Sequence, residues 1–304
     1  KPKYYLGFNK MSHGVMTGKM MGEIEKILSI EKPDALVVYG DTNSTIAGAL
    51  AAKKMHIKLV HIEAGLRSFN MKMPEEINRI LTDRIADLLI CPTQKAVHHL
   101  NQEGFENFPV TIRNHGDIMK DAVTYYGQFS DKKSTIIRDL KLKTNQFVLA
   151  TIHRQENIDD YEKLTNIFNA LEHIHKTQTV ILPLHPGTKK VLKRYSIEPK
   201  VSIIEPVGYY SMLKLLKNCS VVITDSGGLQ KEAFFNSKPV VIMRDETEWI
   251  ELVDHGFAKV VGNNTKLIID TFQFYKDSSM DFSIELYGNN VVEKIYQSIY
   301  QLIH

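Results

Sequence analysis

Short apolar runs rich in Val, Ile and Leu alternate along the chain with longer stretches in which apolar residues return every three or four positions. The short runs read as strands covered on both faces and the long ones as helices packed over them, so the alternation predicts βαβ units and parallel sheets. An opening helix is predicted over 17–29, with Met20, Met21, Ile24, Ile27 and Leu28 on one stripe and Pro33 beyond its end. Strands are predicted at 35–39, 59–62, 88–91 and 110–112. After a polar stretch at 127–145, a second series is predicted at 147–150, 179–182, 201–204, 221–223, 240–243 and 259–261. Val291, Val292, Ile295, Ile299 and Leu302 predict a closing helix over about 290–303. The pattern is that of an α/β protein with two doubly wound domains facing each other across a cleft. The first domain is 1–125 and incomplete at its N-terminus, the second is 126–285, and a helix over 286–304 is expected to pack back on the first.

A length of 304 residues agrees with two domains at roughly 100 to 200 residues each. Thirty-eight Lys and Arg against 35 Asp and Glu leave a net charge of +3, which offers no basic footprint for nucleic acid or an anionic membrane. A small-molecule partner is expected instead. No apolar stretch approaches the roughly 18 to 20 residues of a membrane span, and no charged-then-apolar leader opens the chain. Cys91 and Cys219 stand far apart in apolar runs, which fits buried thiols, a reducing compartment and a cytoplasmic location better than a disulfide. The chain starts at Lys1 with an irregular polar opening over 1–14, from which a preceding segment is expected.

Doubly wound sheets bind ligands outside the carboxyl ends of their strands, so the residues after each apolar run are the ones to read. The first run is followed by Gly40-Asp41-Thr42, with Asp41 placed either for chemistry or as a helix N-cap. The second run gives Glu63-Ala64-Gly65-Leu66-Arg67, where Glu63 is either a functional carboxylate or the partner of Arg67. Pro74-Glu75-Glu76-Ile77-Asn78-Arg79 opens a helix with acids in its first turn. Glu75, Arg79 and Asp83 share one face of that helix, which a solvated ion-pair ladder also explains.

In the second half, strands deliver His153-Arg154-Gln155-Glu156-Asn157 and His185-Pro186-Gly187. Neither histidine has a partner at metal-ligand spacing, so no metal is expected, and both suit phosphate oxygens or a strand-end hydrogen bond. The string Asp225-Ser226-Gly227-Gly228 leads from a strand into a helix and presents free backbone N–H groups and a positive dipole end to an anion. It is neither a dinucleotide fingerprint nor a phosphate-binding P-loop. Glu232, one turn on, is placed to accept hydrogen bonds from a ribose, or is a surface acid. Arg244 follows a strand, within reach of phosphate or sugar, in a stretch holding Trp249, the single tryptophan.

Together these strings resemble the non-hydrolysing UDP-N-acetylglucosamine 2-epimerases, whose two Rossmann-like domains are similar to those of GT-B glycosyltransferases. The resemblance is carried by Gly40-Asp41-Thr42, His61-Ile62-Glu63-Ala64-Gly65-Leu66-Arg67, Pro74-Glu75-Glu76-Ile77-Asn78-Arg79, His153-Arg154-Gln155-Glu156-Asn157, Asp225-Ser226-Gly227-Gly228-Leu229-Gln230-Lys231-Glu232 and Arg244-Asp245-Glu246-Thr247-Glu248. It implies acid-base roles for Asp41, Glu63 and Glu75. Arg79 and His153 then help hold diphosphate and sugar, His153 close enough to count among the catalytic groups. Ser226, Gly227, Gly228 and Glu232 bind UDP, with His185, Met212 and Arg244 as further substrate contacts. Family members open with a strand and a Gly-x-Arg-Pro loop that lie before this chain's start, and they set an aromatic ring against uracil where this chain has Met212 beside Tyr209 and Tyr210.

The implied reaction inverts C2 of a UDP-sugar by eliminating UDP to a 2-acetamidoglucal and adding it back with the proton on the other face. No cofactor is called for, and a homodimer supplying surface-polysaccharide synthesis is the family expectation. UDP-N-acetylglucosamine is the expected substrate. The stretch 245–249 and the string Gly116-Asp117-Ile118-Met119 resemble a branch acting on modified sugars such as UDP-2,3-diacetamido-uronic acids, which is the alternative. A GT-B glycosyltransferase and an inactive UDP-sugar-binding remnant are the readings from other classes.

Overall fold

The computed structural model describes residues 2–304. Lys1, first residue of the irregular opening, lies outside the described residues. The chain divides into two compact units, one running to Ile118 and joined by Glu285–His304, the other Met119–Ile284.

The first unit is built on a parallel sheet of β1 (Ala35–Tyr39), β2 (Lys58–Ile62), β3 (Leu88–Cys91) and β4 (Thr111–Asn114), in sequential order. Its helices are α1 (His13–Glu31), α2 (Asn43–Lys54), α3 (Pro74–Ile85) and α4 (Gln94–Gln102). Helix α1 starts before the predicted residue 17, because Ser12 already provides an extended N-cap position. In the register of β1 on β2, Tyr39 stands beside Ile62, so Gly40-Asp41 and Glu63 leave the sheet side by side. Beyond α5 (Ile118–Lys133), α6 (Ile136–Asp139) follows, so the polar stretch 127–145 is largely helical. Its polar residues mark an exposed helical face, and Lys132 and Lys133 suit the last turn of α5. The division of the units falls at the start of α5, ahead of residue 125.

The second unit carries β5 (Phe147–Thr151), β6 (Thr179–Pro183), β7 (Ser202–Ile204), β8 (Val221–Thr224), β9 (Val240–Ile242) and β10 (Ala258–Val260). All pairings are parallel, in the order β10-β9-β8-β5-β6-β7. Helices α7 (Gln155–Ile158), α8 (Tyr161–His175), α9 (Pro186–Tyr195), α10 (Tyr209–Asn218), α11 (Gly227–Phe235) and α12 (Ile250–Asp254) connect them, and α13 (Thr265–Asp277) follows β10. Val148, Ala150, Val180, Leu182, Val221 and Ile223 are buried in a core that Ile167, Phe168 and Leu171 of α8 cover. Strand order reverses between β5 and β8, and that switch point opens a crevice at the carboxyl edge.

The closing helix α14 (Val291–Ile303) belongs to the first unit. Its Val291 and Ile295 pack on Val60, Ile62, Leu88 and Ile90. The chain returns there through a backbone crossing that excludes side chains. The Asp117 N–H donates to the Tyr287 carbonyl at 2.9 Å, and a Cβ on Gly116, at φ +96°, would lie 2.1 Å from that oxygen. Among the described residues no helix is long and apolar enough to cross a membrane.

Candidate functional site

In the first unit the three strand-end strings meet through a buried web of charges. Asp41 is not the cap of α2, since Thr42 holds that position and its N–H donates to Thr45 Oγ1 at 3.1 Å. The Asp41 carboxylate instead accepts from Arg79 Nη2 at 2.5 Å, while its carbonyl accepts from Asn78 Nδ2 at 2.8 Å. Arg79 also donates to Glu76 at 2.7 Å. Glu76 in turn accepts from the Ser68 and Phe69 amides at 3.0 and 2.9 Å, tying the loop after β2 to α3. Arg79 and Asp83 are buried, so the alternative of a solvated ladder along α3 is not what this face forms. Glu75 is half-buried in the first turn of that helix, one turn before Arg79.

Glu63 is half-buried and left-handed at φ +73°, with a carboxylate oxygen 3.4 Å from where a Gly40 Cβ would stand. The expected alternative of a Glu63–Arg67 pair fails because Arg67 is taken by others. Its Nη1 donates to Asp83 at 2.7 Å, and its Nε and Nη2 donate to Glu103 at 2.6 and 2.8 Å. Burial alone would push the Asp83 carboxyl up, but His61 and Arg67 beside it hold it below the ordinary carboxylate range. His61, Glu76 and Asp83 carry no assigned role in the sequence reading. The legible signal was His61, a polar residue inside an otherwise apolar strand.

In the second unit most of the candidates, though not Gly227 or Arg244, line a cleft of ≈ 500 Å³ at the carboxyl edge of the sheet. His153, His185, Met212, Ser226, Gly228 and Glu232 all border it, together with the apolar Met119, Pro206 and Val207. The floor is built from strand ends: the Thr151 and Thr224 hydroxyls lie 2.6 Å apart, and the Ser226 N–H donates to Thr224 Oγ1 at 2.9 Å. Ser226 stands at the N-cap of α11 without a side-chain capping bond, and Gly227 is the first helical residue. A larger groove of ≈ 790 Å³ at the opposite edge, beside Gln178, Ser220 and Lys238, lies at the wrong strand ends for a doubly wound sheet.

Asp225 organises one wall of the cleft. Wholly buried, it accepts from the His153 and Arg154 backbone N–H groups, from Asn157 Nδ2 at 3.2 Å, and faces His153 Nδ1 at 3.1 Å. The His153 and His185 rings are 5.9 Å apart. His185 Nδ1 accepts from the Gly187 N–H at the start of α9, which leaves its Nε2 as the donor when the ring is neutral. Tyr209 hydrogen-bonds Glu232, whose carboxyl burial pushes up. Burial and Glu232 push the Tyr209 hydroxyl up to about 12. Glu232 is therefore a half-buried, partnered acid and not a free surface one. Arg244 does not border the cleft. It is buried next to Gly227 in a two-point pair with Glu248, at 2.9 and 3.0 Å. Asp225 and Tyr209 were missed as partners because they act on their neighbours through bonds the linear string does not show.

The sequence matches the family model described as UDP-N-acetylglucosamine 2-epimerase over residues 1–300. It is 47% identical over 289 residues to UDP-2,3-diacetamido-2,3-dideoxy-D-glucuronate 2-epimerase of Pseudomonas aeruginosa, covering 95% of this chain and 80% of that protein. It is 42% identical over 279 residues to the UDP-N-acetylglucosamine 2-epimerase of Methanocaldococcus jannaschii, covering 88% of this chain and 75% of that protein. The crystal structure of Methanocaldococcus jannaschii UDP-GlcNAc 2-epimerase in complex with UDP-GlcNAc and UDP is similar with a TM-score of 0.89 and 38% identity. That match covers 99% of this chain and 85% of the other.

Proposed function

The chain belongs to the UDP-N-acetylglucosamine 2-epimerase family and is an isomerase, and we propose that it inverts C2 of a UDP-2-acetamido sugar by eliminating and re-adding UDP. The cleft of the second unit is the observation that carries this reading. The α11 N-terminus offers backbone N–H groups to a diphosphate, Glu232 stands a turn further for a ribose diol, and Met119, Val207 and Met212 give a flat base an apolar wall. His153, held by Asp225, faces the same cavity for the diphosphate, and His185 adds a second imidazole. Arg244 packs beside Gly227, the first residue of the α11 N-terminus that would face the diphosphate.

Asp41, Glu63 and Glu75 supply the proton chemistry, with Arg79 setting the Asp41 carboxylate. A carboxylate takes the C2 proton while the C1–O bond breaks and UDP leaves with the electron pair, giving the 2-acetamidoglucal. A carboxylic acid on the other face returns a proton to C2 as UDP adds back to C1. The C2 proton has no adjacent carbonyl to acidify it, so its loss must be coupled to a well-stabilised leaving group.

UDP-N-acetylglucosamine is the first substrate to test. The 47% identity to the diacetamido-glucuronate enzyme supports a modified uronate as the second reading. Proton NMR in heavy water decides between them: the true substrate gains deuterium at C2 and yields its 2-epimer, and absence of exchange with both sugars would count against the reading. Family expectation supports a homodimer supplying surface-polysaccharide synthesis, which light scattering tests for the dimer. The two buried free thiols support a reducing, cytoplasmic location, with burial pushing the Cys219 thiol up to about 12.

A further inference from the structure

Glu63 sits in the left-handed backbone region that is strained for an L-residue, and such a residue persists only where its surroundings over-determine it. The Glu63 and Ala64 N–H groups both donate to the Ile90 carbonyl, at 3.1 and 3.0 Å. The two peptides that flank the Gly65 Cα are each held: the Gly65 N–H donates to Asp83 Oδ2 at 3.1 Å, and the Gly65 carbonyl accepts from His99 Nδ1 at 3.1 Å. Gly65 is itself left-handed at φ +77°, and a Cβ there would meet the Ala96 carbonyl at 2.6 Å.

The same Asp83 oxygen accepts from Arg67 at 2.7 Å, so both ends of the turn after Glu63 converge on one atom. Its other oxygen faces His61 Nδ1 at 2.7 Å, and His61 Nε2 donates to the Gly40 carbonyl at 2.8 Å. Gly40 is the residue against which the Glu63 carboxylate lies and the one before Asp41. One buried carboxylate thus ties the turn bearing Glu63 to the turn bearing Asp41.

We propose that Asp83 is the positioning residue for the proton chemistry of the first unit, acting through the Gly65 amide, Arg67 and His61 to fix where the Glu63 carboxylate stands. The inference rests on the acid-base role given to Glu63 above. Asp83 is wholly buried and reaches the chemistry only through other groups. Stability alone is a poor reason for such a cluster, because the cost of desolvating buried charges commonly cancels their attraction.

The test is a double-substitution cycle read by C2 exchange. Asp83→Asn is expected to lower kcat by about 10- to 100-fold, the scale of a displaced catalytic group, with KM and UDP affinity within about threefold of the parent. In a Glu63→Gln background the same substitution should lower kcat by less than about threefold, since the group it positions is already disabled. A full loss repeated in that background, or a near-normal kcat for Asp83→Asn alone, overturns the proposal. If Asp83→Asn is recovered unfolded, His99→Ala frees the adjoining peptide by removing the donor to the Gly65 carbonyl, and must show the same kcat-selective, non-additive loss, or the proposal is overturned. Failure of the parent protein to exchange C2 on either sugar rejects the function and this inference with it. Exchange by the parent at a rate that Glu63→Gln leaves unchanged rejects the role of Glu63.

Discussion

Asp83 in the first unit and Asp225 in the second are both wholly buried carboxylates, and they are satisfied by different kinds of partner. Asp83 faces the Arg67 guanidinium and the His61 ring, with one backbone N–H. Asp225 draws on the backbone N–H groups of His153 and Arg154 and the Asn157 amide, with the His153 ring beside it. The first arrangement balances charge with charge and orders the turn that bears Glu63. The second spreads a charge over peptide dipoles and leaves a cleft free to take a ligand. Proton transfer needs a fixed carboxylate, and diphosphate binding needs exposed donors at strand ends.

The largest effect expected from this contrast is on turnover. Glu63→Gln should cut kcat by about 10² to 10⁴, the range of a lost general acid or base, while UDP affinity measured by calorimetry stays within a few-fold. A loss of UDP affinity as large as the loss of kcat would place Glu63 in ligand binding and dissolve the division of labour.

Next comes stability. Removing a charged partner strands a buried ion, so Arg67→Met should cost about 3–5 kcal/mol in urea unfolding. Asn157→Ala, which removes one neutral donor from Asp225, should cost about 1–3 kcal/mol. Equal costs would show that the two carboxylates are held in the same way.

Much of this was legible in the sequence, and the gaps have physical causes. Strand ends were readable because parallel strands covered on both faces are written as continuous apolar runs, and the Ser226-Gly227-Gly228 turn follows one directly. The partner of Arg67 was not readable. Spacing of four suggests a pair with Glu63, but that rule belongs to helices, and this segment turns through left-handed residues at 63 and 65. The face holding Glu75, Arg79 and Asp83 was readable as a face, yet its direction was not: α3 turns its charges inward because Asp41, the loop at 68–69 and Arg67 wait there. Arg244 looked free in the string because its partner Glu248 lies beyond a strand end, where no helical periodicity announces the pair.

A smaller effect concerns the ligand end. Glu232→Ala should weaken UDP binding by roughly 10- to 100-fold, the worth of hydrogen bonds to a charged group, with kcat at saturating substrate changed little. Unchanged UDP affinity would remove Glu232 from the site and leave the cleft defined by the α11 N-terminus alone.

The smallest effect is in the pH dependence of stability, where the two units should differ in sign. Asp83 titrates below the ordinary carboxylate range in the folded protein, so its contribution is present above that range and is lost as pH falls through the lowered folded value. Glu232 titrates above it, because burial outweighs the Tyr209 hydrogen bond and the nearby Lys231, so its contribution is present in acid and is lost as pH rises through the raised folded value. Asp83→Asn should therefore flatten the acid side of the stability curve. Glu232→Gln should instead raise the unfolding midpoint of the ligand-free protein at neutral pH, where the parent must keep a desolvated carboxylate, and should weaken UDP binding at the same time. Urea midpoints between about pH 3 and about pH 8 read both limbs. If Glu232→Gln loses stability at neutral pH, the carboxylate is better held than its burial implies, and the second unit satisfies its acids as closely as the first.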